Sequence, residues 1–306
     1  MDPAEVLAKL GGAARTRQLL EDGLSPFTIR RALDAGTIRQ LGHGSYALPG
    51  AAADDLSLAV GLSAGLTCVS ALARHSLPLP RASHEPHLAV ARNFTPKVIR
   101  PRRARLHYQQ IRPAPGSIAS VADALDTAGK CLNEVWHLVA VDAALNAGLI
   151  SAGEILGFRR CTKARRDFLL RFADARSEAP GETIARLQLV QGGFSVRPQA
   201  YIDGAGRVDI EVEGLLIVQV DGYGPHSDKP AFTRDRVRAR AVIKAGRPQL
   251  SYAASELLGA YPVNVAHDAQ NALDAWRARD SRLIVPSGER VVRIVRDGRG
   301  PDPSTR

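Results

Sequence analysis

One segment of the chain predicts a β-hairpin with acidic side chains gathered on a single face. Polar and apolar residues alternate over 207–213, so Asp209 and Glu211 share one face of a strand while the apolar side chains share the other. Gly214 permits a tight reversal into the run 215–222, which is apolar almost throughout. Such a run is typical of a central strand that is buried on both faces.

The second strand of this hairpin carries two polar side chains within its apolar run. Gln219 and Asp221 stand two residues apart and therefore point to the same side. A carboxylate on a buried strand costs several kcal/mol unless it is paired or bound to a cation. If the strands pair about the turn, Asp209 falls beside Val218 and its face lies close to Gln219. The pattern predicts a pocket rich in oxygen ligands.

Oxygen ligands of this kind suit Mg²⁺ or Mn²⁺, which can activate a bound water against a phosphodiester. Asp209, Gln219 and Asp221 are the candidate metal ligands. Glu182, at the start of the preceding predicted helix, adds a carboxylate. His226 follows the second strand and suits a general acid or base, or a group that holds phosphate. We therefore predict that these five residues form a catalytic site.

The same residues also have ordinary structural interpretations. Asp209 could form a salt bridge with Arg207 or Arg234, and Asp221 begins an Asp-Gly pair that is common in turns. Glu182 suits the first turn of a helix, where the helix dipole favours an acidic side chain. The order of all these residues along the chain favours a joint site.

The segments around the hairpin predict an α/β layer arrangement. The predicted elements are helices over 182–191, 230–245 and 264–279 and strands over 200–202 and 249–253. On the helix over 230–245, Arg234 and Arg238 lie one turn apart and suit contact with DNA phosphates, although a solvated basic helix has the same pattern.

Residues 177–276 resemble the nuclease-like domain related to very-short-patch-repair endonucleases, within the PD-(D/E)XK superfamily. The matching pieces are Glu182-Thr183, Val208-Asp209, Val218 to Gly222, His226, Arg234-Asp235-Arg236 and Gly246. The resemblance implies a metal-dependent DNA-cleaving fold, with Asp209 as a metal ligand and His226 near the scissile phosphate. This chain departs from the family pattern at Gln219, where a neutral amide replaces a glutamate, so metal affinity should fall. Glu211 is the alternative anionic ligand.

The first fifty residues predict three helices followed by a short hairpin, the order typical of a winged helix. The predicted helices cover 4–10, 15–21 and 27–34, and the strands cover 37–41 and 45–48. Ser25-Pro26 supplies a capping residue and a first-turn proline for the third helix.

Basic side chains of the N-terminal segment are placed to contact DNA. Thr28, Arg30 and Arg31 lie on the outer turns of the third helix, while Arg39 and His43 lie on the hairpin. A helix of this type enters the major groove while a wing contacts phosphate, and arginine suits both contacts. The alternative interpretation is a packing or protein-interaction module.

Residues 24–31 and 36–49 resemble the N-terminal domain of AbiEi-type antitoxins. The residues that carry this resemblance are Leu24-Ser25-Pro26-Phe27 and the glycine-tyrosine hairpin Gly42-His43-Gly44-Ser45-Tyr46. The resemblance implies transcriptional autoregulation, DNA as a partner and a possible cognate toxin.

The middle of the chain predicts a mixed α/β linker with no site chemistry of its own. Its predicted elements are a helix over 54–74 that glycines interrupt, a strand over 87–91 and helices over 121–128, 132–147 and 152–173. Cys68, Cys131 and Cys161 are widely scattered and odd in number, so they indicate neither a disulfide framework nor a zinc site. The predicted division is a winged helix at 1–50, a mixed α/β region at 51–175, a restriction-endonuclease-like α/β domain at 176–280 and a basic tail at 281–306. The predicted fold class is multi-domain α+β.

Charge and hydropathy narrow the class of function. The 306 residues carry 41 lysines and arginines against 31 aspartates and glutamates, a formal charge of +10 that favours polyanionic partners. The sequence predicts no membrane span and a cytoplasmic location. The leading hypothesis is a DNA-binding, metal-dependent endonuclease. A non-catalytic regulator or antitoxin is the alternative, and an adaptor without a nucleic-acid role is the third.

Overall fold

The computed structural model describes residues 1–50, 54–80, 85–95, 104–111, 113–221, 240–242, 244–259 and 261–283. Over these residues the chain is a mixed α/β protein with separate sheets in its N-terminal, middle and C-terminal parts. This architecture agrees with the predicted multi-domain α+β class. None of the helices within the described residues is long and apolar enough to span a membrane.

The N-terminal part contains the three predicted helices and the predicted hairpin. Its elements are α1 (Pro3–Lys9), β1 (Ala13–Arg15), α2 (Thr16–Glu21), α3 (Pro26–Asp34), β2 (Arg39–Gly42) and β3 (Ser45–Ala47). Strand β1 was not predicted. It pairs antiparallel with β3 and completes a sheet in the order β1-β3-β2.

The N-terminal helices begin where the sequence provides caps. Asp2 accepts a hydrogen bond from the N–H of Ala4 at 3.0 Å, and Ser25 caps α3 ahead of the first-turn proline. The helices and the sheet enclose a small apolar core of Val6, Leu7, Ala14, Leu19, Leu24, Ile29, Ala32 and Ile38. The backbone nitrogen at the first helical position has no acceptor within the helix, so a proline there costs no hydrogen bond. Pro26 therefore favours the start of α3 at this residue.

The middle part is a small sheet packed among helices. Its elements are α4 (Asp55–Gly61), β4 (Gly65–Leu66), α5 (Cys68–Arg74), β5 (His87–Ala91), β6 (Arg105–Gln109), α6 (Val121–Ala128), α7 (Glu134–Asn146), α8 (Ala152–Leu156) and α9 (Lys163–Phe172). Strand β5 runs antiparallel to β4 and parallel to β6. The prediction of one interrupted helix over 54–74 is wrong, because β4 separates the two helices α4 and α5 there.

The prediction of one helix over 152–173 is also wrong, because this segment contains the two helices α8 and α9. Asp126 explains the break between them. Its buried carboxylate accepts hydrogen bonds from the backbone N–H groups of Arg159, Arg160 and Cys161 at 2.7 to 2.9 Å. Burial alone would raise the pKa of Asp126, but these N–H groups hold it below its ordinary value. A carboxylate that binds three consecutive N–H groups fixes a loop where the helix would otherwise continue.

The C-terminal part is a four-stranded mixed sheet with helices before and after it. Its elements are α10 (Pro180–Gln191), β7 (Val196–Ile202), β8 (Gly206–Val212), β9 (Leu216–Asp221), β10 (Gln249–Ala253), α11 (Ala254–Leu258) and α12 (Val265–Leu283). Strands β7, β8 and β9 form an antiparallel meander, and β10 returns parallel to β9. The predicted helix over 230–245 and the basic tail lie largely outside the described residues.

Helix α10 connects the middle and C-terminal cores. Leu187 packs into the core of the middle helices, while Ile184 packs with Val139 of α7 into the core beneath the C-terminal sheet. A buried ion pair joins the same two helices, because Arg186 Nη2 lies 2.7 Å from Asp142 Oδ2. Asp142 also accepts hydrogen bonds from the Thr183 hydroxyl and the Asp174 N–H.

Candidate functional site

The register of β8 against β9 decides which side chains face Asp209. Ile210 pairs with Val218 and Glu211 pairs with Ile217, so Asp209 lies across from Gln219. The sequence predicted Val218 as the residue across from Asp209, and this prediction is wrong by one residue. The turn between the strands contains three unpaired residues, 213–215, whereas the prediction assumed two.

The turn achieves this register with two consecutive residues in the left-handed region. Glu213 has φ 53° and Gly214 has φ 65°. The N–H of Leu215 closes the turn by donating to the Val212 carbonyl at 3.0 Å. A left-handed glutamate is unusual, and its carboxylate compensates by accepting the Ser195 N–H at 2.7 Å. The turn therefore fixes the position of the acidic residues on β8.

Asp209 is held by hydrogen bonds from β9. The N–H of Val220 donates to Oδ2 at 2.8 Å. The amide of Gln219 faces the same carboxylate with its nitrogen, because an oxygen there would meet two anionic oxygens. In that orientation the nitrogen lies 2.8 Å from Oδ2 and 3.1 Å from Oδ1. Gln219, the position at which the sequence comparison led us to expect a glutamate, therefore supplies Asp209 with a donor.

Glu182 reaches the same region from the first turn of α10. It is buried, and its Oε2 accepts the Glu178 N–H at 3.0 Å and the Gln199 amide at 2.9 Å. Burial raises the pKa of Glu182 to about 7, and the nearby charge of Asp209 adds to this effect. This carboxyl group therefore changes its protonation state near neutral pH.

The close approach of α10 to the sheet depends on a glycine. A Cβ atom at Gly181 would lie 2.6 Å from the Val220 side chain, which is closer than packed carbon atoms allow. Glycine therefore lets the first turn of α10 rest directly on β9 and places Glu182 above the strands.

Gln199 was missed by the sequence analysis. It sits in the middle of β7 with φ 50°, a conformation that strand residues rarely adopt. Its amide nitrogen binds Glu182, while its Oε1 is buried without a hydrogen-bond partner. Strained backbone and an unsatisfied buried acceptor are both common at functional sites. No sequence pattern predicts the left-handed backbone or the unsatisfied acceptor of Gln199.

Of the remaining predicted residues of this site, only Asp221 lies within the described part of the chain. Asp221 ends β9 and is exposed. Among the residues that the structure describes, Glu182, Asp209 and Asp221 do not form a group of ligand atoms within 4.8 Å of one another. His226, Arg234 and Arg238 lie outside the described residues.

Glu211, the alternative anionic ligand, is engaged elsewhere. It is buried and forms ion pairs with Arg197, at 2.5 Å, and with Arg247. Arg207, weighed as a partner of Asp209, instead makes a two-point contact with Glu178 at 2.7 and 3.0 Å. Two arginines therefore balance the buried charge of Glu211.

The N-terminal part presents an exposed face on α3. Phe27, Arg30 and Arg31 recur at helical spacing on the side opposite the buried Ile29. Phe27 is 70% exposed, which is unusual for so large an apolar side chain. Arg30 pairs with the exposed Asp34 at 3.2 Å. Phe27 was not among the predicted contacts, although the spacing indicates it.

Thr28 and the hairpin have more local roles. The Thr28 hydroxyl accepts the Ser25 N–H at 2.9 Å and donates to the Ser25 carbonyl at 2.8 Å, so it belongs to the helix cap. Arg15 ties the hairpin to β1 by donating to Ser45 Oγ at 2.7 Å and to the His43 carbonyl at 3.2 Å. Arg39 remains exposed on β2.

A further cluster lies in the middle part, where the sequence analysis found no chemistry. The ligand atoms of Cys68, His87, His107 and Cys131 all lie within 4.8 Å of one another. Cys68 and Cys131, which are far apart in the chain, therefore lie close together in the structure. Their wide spacing in the chain gives no short ligand motif from which the cluster could have been read.

Comparison with known proteins identifies one part of the chain. A family model described as transcriptional regulator, AbiEi antitoxin, matches residues 1–49. This match covers α1 to β3, the part that carries the exposed face of α3. No curated protein matches the chain.

Proposed function

We propose that the protein is a DNA-binding transcriptional regulator whose N-terminal fifty residues are a winged helix. The observation that carries the proposal is the exposed face of Phe27, Arg30 and Arg31 on α3, within a segment that matches a regulator family. In this arrangement α3 enters the major groove and its arginines contact base edges or phosphates.

The hairpin supplies the second contact. Arg39 lies on β2, and Arg15 holds the β2–β3 turn against the rest of the module. A wing fixed in this way places Arg39 against the phosphate backbone. The formal charge of +10 supports binding to a polyanion. The antitoxin description of the family also makes a toxin protein a partner to be tested by co-expression.

The C-terminal sheet supports a second candidate function, that of a metal-dependent nuclease. Glu182 accepts a hydrogen bond from the Gln199 amide at 2.9 Å and its pKa is affected by the charge of Asp209, so these three polar side chains lie in one region of the C-terminal part. The buried, unpartnered Oε1 of Gln199 is the specific observation in favour. The Gln219 amide is evidence against a nuclease, because it donates hydrogen bonds to the Asp209 carboxylate and adds no negative charge that would attract Mg²⁺ or Mn²⁺. We therefore rank the regulator first.

Selection from a pool of random duplexes tests the regulator. The full chain is expected to enrich a defined sequence, and replacing Arg30 and Arg31 together by alanine should abolish the enrichment. Incubating supercoiled plasmid with Mg²⁺ or Mn²⁺ tests the nuclease. Cleavage that Asp209→Ala abolishes would reverse our ranking, whereas intact plasmid supports it.

A further inference from the structure

The cluster of Cys68, His87, His107 and Cys131 brings together four side chains from four separate segments. Cys68 begins α5, His87 begins β5, His107 lies on β6 and Cys131 follows α6. Cys68 and His87 are buried, and the other two are half-buried. Neutral core packing would not require two sulfurs and two imidazole nitrogens to point at a common centre.

Two distances within the cluster are close to those around a tetrahedral ion. His87 Nδ1 lies 3.1 Å from His107 Nε2, and Cys131 Sγ lies 4.0 Å from the same His107 nitrogen. Zinc with two nitrogen and two sulfur ligands requires separations of about 3.3 Å between nitrogens, about 3.6 Å from nitrogen to sulfur and about 3.8 Å between sulfurs. These two separations lie within a few tenths of an ångström of that geometry, and all four ligand atoms lie within 4.8 Å of one another.

The charge of the site also suits a divalent ion. Two thiolates and two neutral imidazoles around Zn²⁺ give a complex with no net charge, which is favourable in a buried location. Arg105 Nη1 lies 3.9 Å from Cys131 Sγ and adds an outer contact to that sulfur. Such outer contacts orient the ligands of metal sites.

The backbone at Cys68 supplies an independent observation. Its φ is 52°, in the left-handed region where a residue with a side chain is strained. A glycine would relieve this strain, so a cysteine there indicates that the thiol is needed. A cavity of about 350 Å³ lies beside the cluster and is lined in part by His87 and Cys131, which gives an ion a path to the site.

We propose that Cys68, His87, His107 and Cys131 bind one structural Zn²⁺ that ties α5, the β5–β6 strand pair and the loop after α6 together. The site uses four protein ligands, which is typical of structural rather than catalytic zinc. It is separate from the carboxylate region of the C-terminal sheet and does not depend on the proposed regulator function.

Metal analysis of the full chain tests the proposal without any variant. Protein purified without added chelator is expected to contain about one zinc per chain by mass spectrometry of metals. Metal-free protein titrated with Co²⁺ should develop the visible bands of a tetrahedral site and a thiolate-to-cobalt charge-transfer band. Absence of zinc together with absence of these bands would overturn the proposal.

Single substitutions identify the ligands. Cys131→Ser and His107→Ala should lose the zinc, whereas Cys161→Ser should keep it, because this third cysteine lies outside the cluster. His107→Cys should retain zinc and strengthen the cobalt charge-transfer band, since it replaces a nitrogen ligand by a thiolate. Zinc content unchanged in both Cys131→Ser and His107→Ala would place the ion elsewhere and overturn the assignment.

A disulfide is the competing outcome for the two cysteines. Mass spectrometry under non-reducing conditions would show a Cys68–Cys131 crosslink, and its presence in freshly purified, zinc-free protein would overturn the proposal. Two free thiols that become protected from alkylation when Zn²⁺ is added would support it.

Discussion

The side-chain amide of Gln219 lies 2.8 Å from Oδ2 and 3.1 Å from Oδ1 of Asp209 and donates to both. This contact supplies the Asp209 carboxylate with a neutral donor from the neighbouring strand. A glutamate at position 219 would instead place two carboxylates face to face.

Gln219→Glu is accordingly expected to destabilise the metal-free protein by about 1–3 kcal/mol, because a donor becomes a like charge beside the half-buried Asp209 carboxylate. Adding Mg²⁺ or Mn²⁺ should restore stability as the ion binds the folded state. Thermal unfolding with and without metal measures both effects. Gln191→Glu, at an exposed position, is the control and should show neither. If neither metal changes the unfolding temperature of the Gln219→Glu variant, our interpretation of the Gln219–Asp209 contact is contradicted.

The pKa of Glu182 predicts how stability depends on pH. Burial raises this pKa to about 7 from an ordinary value of 4.5, so the folded chain keeps a proton that the unfolded chain releases. Stability should therefore fall as the pH rises from 4.5 through 7. Glu182→Gln removes the titrating group and should flatten this slope, which makes the variant the more stable protein at pH 8.

Unfolding temperatures measured from pH 5 to pH 8 check this expectation. Glu21→Gln serves as the control, because Glu21 is exposed on α2 and its loss should leave the slope unchanged. Parallel curves for wild type and Glu182→Gln would show that Glu182 titrates at its ordinary pKa.

The buried ion pair between Arg186 and Asp142 should contribute strongly to stability. Arg186→Met leaves the Asp142 carboxylate buried without its countercharge, which is expected to cost about 3–5 kcal/mol. Arg207→Met removes an arginine from an exposed pair and should cost less than about 1 kcal/mol. Urea unfolding followed by circular dichroism measures both. Equal losses would contradict the assignment of the Arg186 pair as the link between α7 and α10.

The N-terminal arginines should differ in how they affect DNA binding. Arg39→Ala is expected to weaken binding to all sequences alike and to reduce the dependence of affinity on salt by about one ion. Arg31→Ala should reduce discrimination between the selected and random sequences by about 1–3 kcal/mol. Fluorescence anisotropy at several salt concentrations separates the two effects. Arg171→Ala, on the exposed side of α9, is the matched control and should change neither.

Regular elements with a clear period could be predicted from the sequence. Strands β5 and β10 match their predicted bounds, because each is a short run with marked boundaries. The helix α3 follows from Ser25-Pro26. Strand β1 could not be predicted, since three residues beginning with two alanines show no alternation and pair only through tertiary contact.

The site was accessible to sequence analysis only where its residues were close together in the chain. Asp209 and Gln219 face each other because they share one hairpin, and the error of one residue came from the left-handed turn at Glu213. Gln199 depends on a backbone conformation that has no sequence signal. The cysteine and histidine cluster depends on packing of α5, β5 and β6, which no local pattern encodes.

Competition binding tests most directly whether α3 reads DNA sequence. Full-length protein bound to its selected duplex should resist a large excess of random duplex, and the protein with both Arg30→Ala and Arg31→Ala should lose this preference while remaining folded by circular dichroism. Equal preference in wild type and the double variant would contradict the account, and so would a wild-type protein that binds every duplex alike.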